Sequence, residues 1–158
     1  MDHDEPGWPL IDDFFTSEAE GRSVATVRRY HRVRARLYDF LDTADMTLGL
    51  GADPAALLEA ERQFHVSGAF WTLYGVDELA SCLPSFVHET WLPTSTGEAR
   101  TQISLVGRLL PRLGPAGGLA GAEDAVARAR RELAARPPVD DTPPRMPDRF
   151  RQQDGPRW

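Results

Sequence analysis

The sequence predicts an all-α protein, and two observations support that class. Apolar residues recur at helical spacing along most of residues 10–136, whereas no run alternates apolar and polar residues over a useful length. Glycine, proline and serine separate these runs at positions where helices commonly end or begin. We therefore expect an orthogonal bundle of four to five helices, followed by a C-terminal helix and a disordered tail.

The clearest amphipathic helix covers residues 24–41 and follows Ser23, a favourable N-terminal cap. At about 100° per residue, its apolar side chains fall within one arc of about 140°, and four arginines fall within an opposite arc of about 100°. The apolar set is Val27, Tyr30, Val33, Leu37, Phe40 and Leu41. The basic set is Arg28, Arg29, Arg32 and Arg36, with His31 and Arg34 at the border.

The remaining helices are predicted from the same spacing and from their breakers. Residues 43–53 read as a loop, and Asp53-Pro54 reads as a cap followed by a proline at the first helical position. Gly68 and Pro84 mark possible interruptions. The predicted helices are 10–20, 54–75, 76–91, 98–113 and 120–136.

Four segments are predicted along the chain. Residues 1–9 should be disordered, residues 10–113 should form the helical domain, and residues 114–136 should form a hinge and the C-terminal helix. The stretch 137–158, rich in proline, aspartate and arginine, has the composition of a disordered tail.

Composition favours a cytoplasmic protein that neither spans a membrane nor depends on disulfides. The chain has 158 residues, 41% of them hydrophobic, but no apolar run approaches the length of a membrane span. Its first residues are acidic, unlike a secretory signal, and Cys82 is its single cysteine. All 18 basic residues are arginine, which fits the codon bias of a GC-rich, bacterial coding sequence.

Charge is distributed unevenly around a net value of −6. Residues 22–36 hold six arginines and no acid, and residues 99–115 hold three arginines and no acid. Residues 37–98, by contrast, hold ten acids and a single arginine. The net charge argues against binding nucleic acid over the whole surface, but two basic segments stand out locally.

Few residues suggest catalysis. The chain has no nucleophile elbow, no phosphate-binding glycine loop and no His-Glu-x-x-His metal motif. Glu61 and His65 have a spacing that could ligate a metal, but no third ligand is identifiable. We therefore predict a protein that is not an enzyme, without a metal, a cofactor or an identified small-molecule substrate; an enzyme with an unrecognised site is a lesser alternative.

The arginine side of helix 24–41 has three readings. It could be a solvated face neutralised by acids elsewhere, a surface that contacts phosphates, or a docking site for an acidic protein. Four guanidinium groups over about two helical turns extend roughly 12 Å, which matches the width of a DNA major groove.

The order of several motifs resembles a known DNA-binding domain. The motifs are Leu10-Ile-Asp-Asp-Phe-Phe15, Ser23-x-x-Thr26-x-x-x-Tyr30, Leu37-Tyr-Asp-Phe-Leu41, Val76-Asp-Glu-Leu79, Thr94-Ser-Thr96 and Thr101-x-x-Ser104. Over residues 10–113 this order resembles the N-terminal core-binding, or SAM-like, domain of tyrosine recombinases and phage integrases, without their catalytic domain. The resemblance implies an integrase-like module of DNA recombination whose second and last core helices face double-stranded DNA.

Both arguments predict the same residues as the DNA-binding site. They are Arg22, Arg28, Arg29, Arg32, Arg36, Arg100, Arg108 and Arg112. The alternative is an adaptor or regulator whose basic helix face docks an acidic protein partner, or a chain that associates with itself.

Overall fold

The computed structural model describes residues 8–114 and 119–137, and the all-α prediction is confirmed for them. Eight α-helices and one 3-10 helix form in these ranges, and no strand occurs there. The helices are α1 Trp8–Ala19, α2 Val24–Thr43, α3 Thr47–Leu50, α4 Ala52–Arg62, α5 Ala69–Leu73, α6 Val76–Phe86, α7 Thr96–Leu109, the 3-10 helix Leu110–Leu113 and α8 Leu119–Ala135. Residues 8 and 9, which were predicted to be disordered, instead form the start of α1. The rest of the predicted disorder (1–7 and 138–158) and most of the hinge (115–118) lie outside the described residues.

The largest departure from prediction concerns residues 43–75. The predicted loop contains the short helix α3, and the single helix predicted for 54–75 is divided into α4 and α5. Gly68 adopts a positive φ of 82° directly before α5, which explains the break at this glycine. The predicted Asp53-Pro54 cap is wrong: Gly51 is the N-cap of α4, and Asp53 lies within its first turn.

A single apolar core joins the helices, and it contains most of the residues that the helical spacing turned inward. Val27 of the apolar set predicted for α2 is an exception, because it is only partly buried and lies outside this core. Ile11 and Phe14 of α1, Leu37 and Phe40 of α2, and Ile103 of α7 are almost completely inaccessible to solvent. Within residues 8–114 and 119–137, no helix combines the length and apolar character needed to cross a membrane.

Ser23 is confirmed as the N-cap of α2, because its Oγ accepts a hydrogen bond from the backbone N–H of Thr26 at 3.3 Å. α2 then packs between α1 and α7. This arrangement brings the two basic segments of the sequence side by side.

Candidate nucleic-acid interface

The exposed faces of α2 and α7 are neighbours. Nη2 of Arg108 donates to the hydroxyl of Tyr30 at 3.3 Å, and Nε of Arg36 donates to Oε1 of Gln102 at 2.8 Å. Tyr30 lies in the first part of α2 and Arg108 lies near the end of α7, so these parts of the two helices are in contact. The basic segments therefore share one region of the molecule.

Glu98, in the first turn of α7, lies between two of the predicted site arginines. Nε and Nη2 of Arg32 each lie 2.6 Å from its Oε1, and Nη1 of Arg36 lies 3.8 Å from its Oε2. Burial lowers the pKa of Arg36, Glu98 opposes that effect, and Arg32 adds a smaller lowering. Two guanidinium groups thus share one carboxylate, which leaves this cluster positive.

Arg36 is also tied to the core through Gln102, the one buried polar or charged residue of the described part of the chain. Nε2 of Gln102 donates to the carbonyls of Phe86 at 3.0 Å and Trp91 at 3.1 Å, while its Oε1 accepts from Arg36. Arg36 therefore helps to join α2 to α7 and to the end of α6, and its guanidinium is largely covered.

Arg108 and Arg112 both reach α1. Nε of Arg108 lies 3.1 Å from Oε2 of Glu18, in addition to its bond to Tyr30. Arg112 stacks over the ring of Phe14 at 5.8 Å and donates to Ser17 Oγ at 3.4 Å. These contacts connect α7 and the 3-10 helix to α1, so the two side chains have a structural role in the fold.

The other four predicted site residues, Arg22, Arg28, Arg29 and Arg100, are exposed. No hydrogen bond or ion pair joins their guanidinium groups to any residue in the described ranges. We call Arg22, Arg28 and Arg29, together with the half-exposed Arg32, the arginine surface, which follows the solvent-facing side of α2 from the residue before its N-cap. Arg100 is not part of this surface, because it lies about 160° around α7 from Gln102, which bonds to Arg36 of α2.

Arg130 of α8 adds a cation that the sequence did not indicate. An ideal Cβ placed on Gly107 of α7 would lie 2.9 Å from Nη2 of Arg130, so the guanidinium rests directly on this glycine. Gly107 is two turns beyond Arg100 on α7 and shares its side of the helix. The only signal in the sequence was a glycine inside a predicted helix, which indicates a close approach without naming the group that approaches.

Arg34, at the border of the predicted basic face, turns away from the arginine surface toward α1. It donates to Asp12 at 2.7 Å and to the Tyr38 hydroxyl at 3.0 Å, and that hydroxyl donates to Asp12. Burial and the bond to Asp12 raise the pKa of Tyr38 to about 12, although Arg34 opposes the rise. This cluster fastens α1 to α2.

The residues considered for catalysis do not assemble into a site within the described ranges. His65 Nε2 lies 2.9 Å from Glu61, but no group of three potential metal ligands forms among the described residues. Cys82 is completely buried, and burial raises the pKa of its thiol to about 12. Its thiolate is therefore scarce at neutral pH.

An open groove of about 750 Å³ lies between α3, α6 and α8. Its polar side chains include Asp45, His88, Arg128 and Glu132, but no hydrogen bond or ion pair links these four to one another. They therefore lack the mutual contacts that orient a catalytic acid, base or nucleophile.

Comparison of the chain with protein-family models, with curated proteins and with solved structures finds no match in any of the three. The resemblance to the core-binding domain of tyrosine recombinases thus stays a prediction, based on the motifs in the sequence.

Proposed function

We propose that this chain is a non-catalytic module that binds double-stranded DNA, in the cytoplasm, through the arginine surface. The observation that carries the proposal is the set of exposed guanidinium groups on and just before α2 that have no partner among the described residues. Arginine suits this role because its planar fork matches the geometry of phosphate oxygens. Contacts of this kind position a protein on the duplex without reading its sequence.

The predicted arginines fall into two groups: binding arginines, which contact phosphates, and supporting arginines, which hold the helices together. Arg28 and Arg29 are the main phosphate contacts, with Arg22 and Arg32 beside them. Arg100, on a different side of α7, is not required for this contact. The other members of the predicted site, Arg36, Arg108 and Arg112, hold α1, α2 and α7 together and so keep the surface in shape. Loss of a binding arginine should weaken the complex with DNA, whereas loss of a supporting arginine should first weaken the fold.

The test is a titration of a labelled random-sequence duplex with the full chain over a series of salt concentrations, followed by fluorescence anisotropy. We expect affinity to fall steeply with salt, because each neutralised phosphate releases condensed counterions. The double variant Arg28→Glu/Arg29→Glu should lose binding while it keeps the helical circular dichroism and urea midpoint of the original chain.

The matched control is Arg128→Glu/Arg136→Glu, which makes the same change in net charge. Arg128 is on α8 and Arg136 directly follows it, and the two side chains line the groove and its neighbouring pocket. The control should bind DNA nearly as well as the original chain. Equal losses in both variants would mean that only net charge matters, and no binding at low salt would overturn the proposal.

One observation favours the second candidate, docking of an acidic protein. Val24 is 67% exposed and lies one turn before Arg28 on α2, so the arginine surface includes a large apolar side chain. Apolar contacts beside arginines are common in protein interfaces and contribute nothing to phosphate binding. In that case the duplex titration would fail, while an acidic protein partner would bind and Val24→Ser would weaken it.

A further inference from the structure

Three large apolar side chains are exposed within ten residues of chain, on and after α4. Leu57 is 53% exposed, Phe64 is 82% exposed and Val66 is fully exposed. Leu57 and Phe64 are seven residues apart, which places them on the same side of α4 and its final turn. Single exposed apolar residues are ordinary, but three within so short a stretch make it a candidate interaction surface. We call these three residues the apolar patch.

Carboxylates border the apolar patch. Asp53 and Glu61 are each four residues from Leu57 on α4, so they share its side of the helix. The nearby arginine, Arg62, turns inward instead: it donates to the carbonyls of Leu41 and Ala44 at 2.8 Å. The patch therefore combines apolar area with negative charge, and it would fit a partner that combines apolar area with positive charge.

We propose that the apolar patch of one chain docks the arginine surface of a second copy of the same chain. The arginine surface has the required chemistry, because Val24 supplies an exposed apolar side chain and Arg28 supplies a cation one turn away. Patch-to-patch pairing is less favourable, since it would bring the Asp53 and Glu61 carboxylates of two chains together.

The two surfaces are different regions of the chain, so the contact is head-to-tail. Such heterologous contacts build rings when the rotation closes and open chains when it does not. The same arginines are proposed to bind DNA, which means that duplex and second copy compete for one surface. Self-association would thus regulate DNA binding by covering the arginine surface at high protein concentration.

Sedimentation velocity of the full chain at low salt tests the association. The weight-average mass should rise with protein concentration and return toward the monomer as salt is added, because opposite charges attract across the interface. Phe64→Ser should abolish the rise. The control Leu48→Ser, which changes a side chain that is 93% exposed in the groove instead of the patch, should leave it intact.

Mixing two variants tests the direction of the contact. Arg28→Glu/Arg29→Glu retains only the apolar patch, and Phe64→Ser retains only the arginine surface. Each variant alone should be monomeric, whereas an equimolar mixture should form a one-to-one complex that grows no further. A mixture that stays monomeric would overturn the head-to-tail contact, even if the original chain associates.

Other results have defined meanings. A mass that stays monomeric at every concentration overturns the proposal. An association that persists in Arg28→Glu/Arg29→Glu and strengthens with salt also overturns it, because that result would indicate patch-to-patch pairing. Phe64→Ser should still bind duplex DNA. If it associates with the complementary variant but neither it nor the original chain binds DNA, the DNA-binding proposal fails and the head-to-tail contact stands.

Discussion

Two segments of α2, residues 24–31 and residues 32–43, carry arginines whose surroundings differ. In the first segment, Arg28 and Arg29 are exposed and have no ion pair within the described ranges. In the second segment, Arg32, Arg34 and Arg36 bond to residues that are distant in sequence. The difference arises because α1 and α7 supply acceptors only to the second segment. A basic helix face is therefore available for binding only where the neighbouring helices leave its cations without acceptors.

The largest expected effect comes from replacing Gln102, the residue of α7 that accepts a hydrogen bond from Arg36 in the second segment of α2. Gln102→Leu would leave Nε of Arg36 and the carbonyls of Phe86 and Trp91 without their partner, at a position where the replaced side chain is completely buried. We expect the free energy of unfolding to fall by about 2–4 kcal/mol, since unsatisfied buried polar groups are costly. Urea denaturation followed by circular dichroism measures this change.

An exposed glutamine provides the comparison for that variant. Gln63→Leu replaces the same residue type at the C-terminal cap of α4, where the side chain faces solvent. Its free energy of unfolding should stay within about 0.5 kcal/mol of the original. A similar small effect from Gln102→Leu would show that Arg36 does not depend on this network.

Alanine substitutions in the two segments of α2 should affect different properties, stability in the second segment and DNA binding in the first. Arg36→Ala removes the bond to Gln102 and should lower the free energy of unfolding by about 1–2 kcal/mol. Arg28→Ala should change it by less than about 0.5 kcal/mol and should instead weaken duplex binding in the anisotropy titration. If Arg28→Ala destabilises the fold as much as Arg36→Ala does, the distinction between binding and supporting arginines is wrong.

The helices with regular apolar spacing were predictable from the sequence. α2 and α7 have core residues such as Leu37 and Ile103 at the positions that the spacing turned inward. Residues 43–75 were not predictable in the same way, because short helices such as α3 are stabilised by tertiary packing instead of by their own periodicity. Gly49 illustrates this: a Cβ there would lie 2.9 Å from the Sγ of Cys82, a contact between distant segments.

The candidate site was predictable only as a set of positions on a helix face. Helical spacing identified which arginines leave the core side of α2, but it carries no information about the residues that other helices bring there. Glu98 is 66 residues from Arg32 in sequence, and Arg130 reaches Gly107 from a helix that was not predicted to take part in the DNA-binding site. The partners of a charged side chain follow from the packing of whole helices, and this packing decides which arginines remain available.

Replacing Glu98 should make the arginines of the second segment of α2 more available for binding, like those of the first segment, although the expected effect is the smallest. Glu98→Gln keeps the size of the side chain but removes the charge shared by Arg32 and Arg36, so the free energy of unfolding should fall by only about 1 kcal/mol. Duplex binding should become tighter, and the salt dependence should steepen by about one released counterion, because Arg32 gains freedom to contact phosphate. The matched control is Glu59→Gln, whose partner Arg62 is turned toward the core, and it should leave DNA binding unchanged. If Glu98→Gln also leaves the salt dependence unchanged while the original chain binds DNA, then Arg32 makes no phosphate contact. The second segment of α2 would in that case have only a structural role.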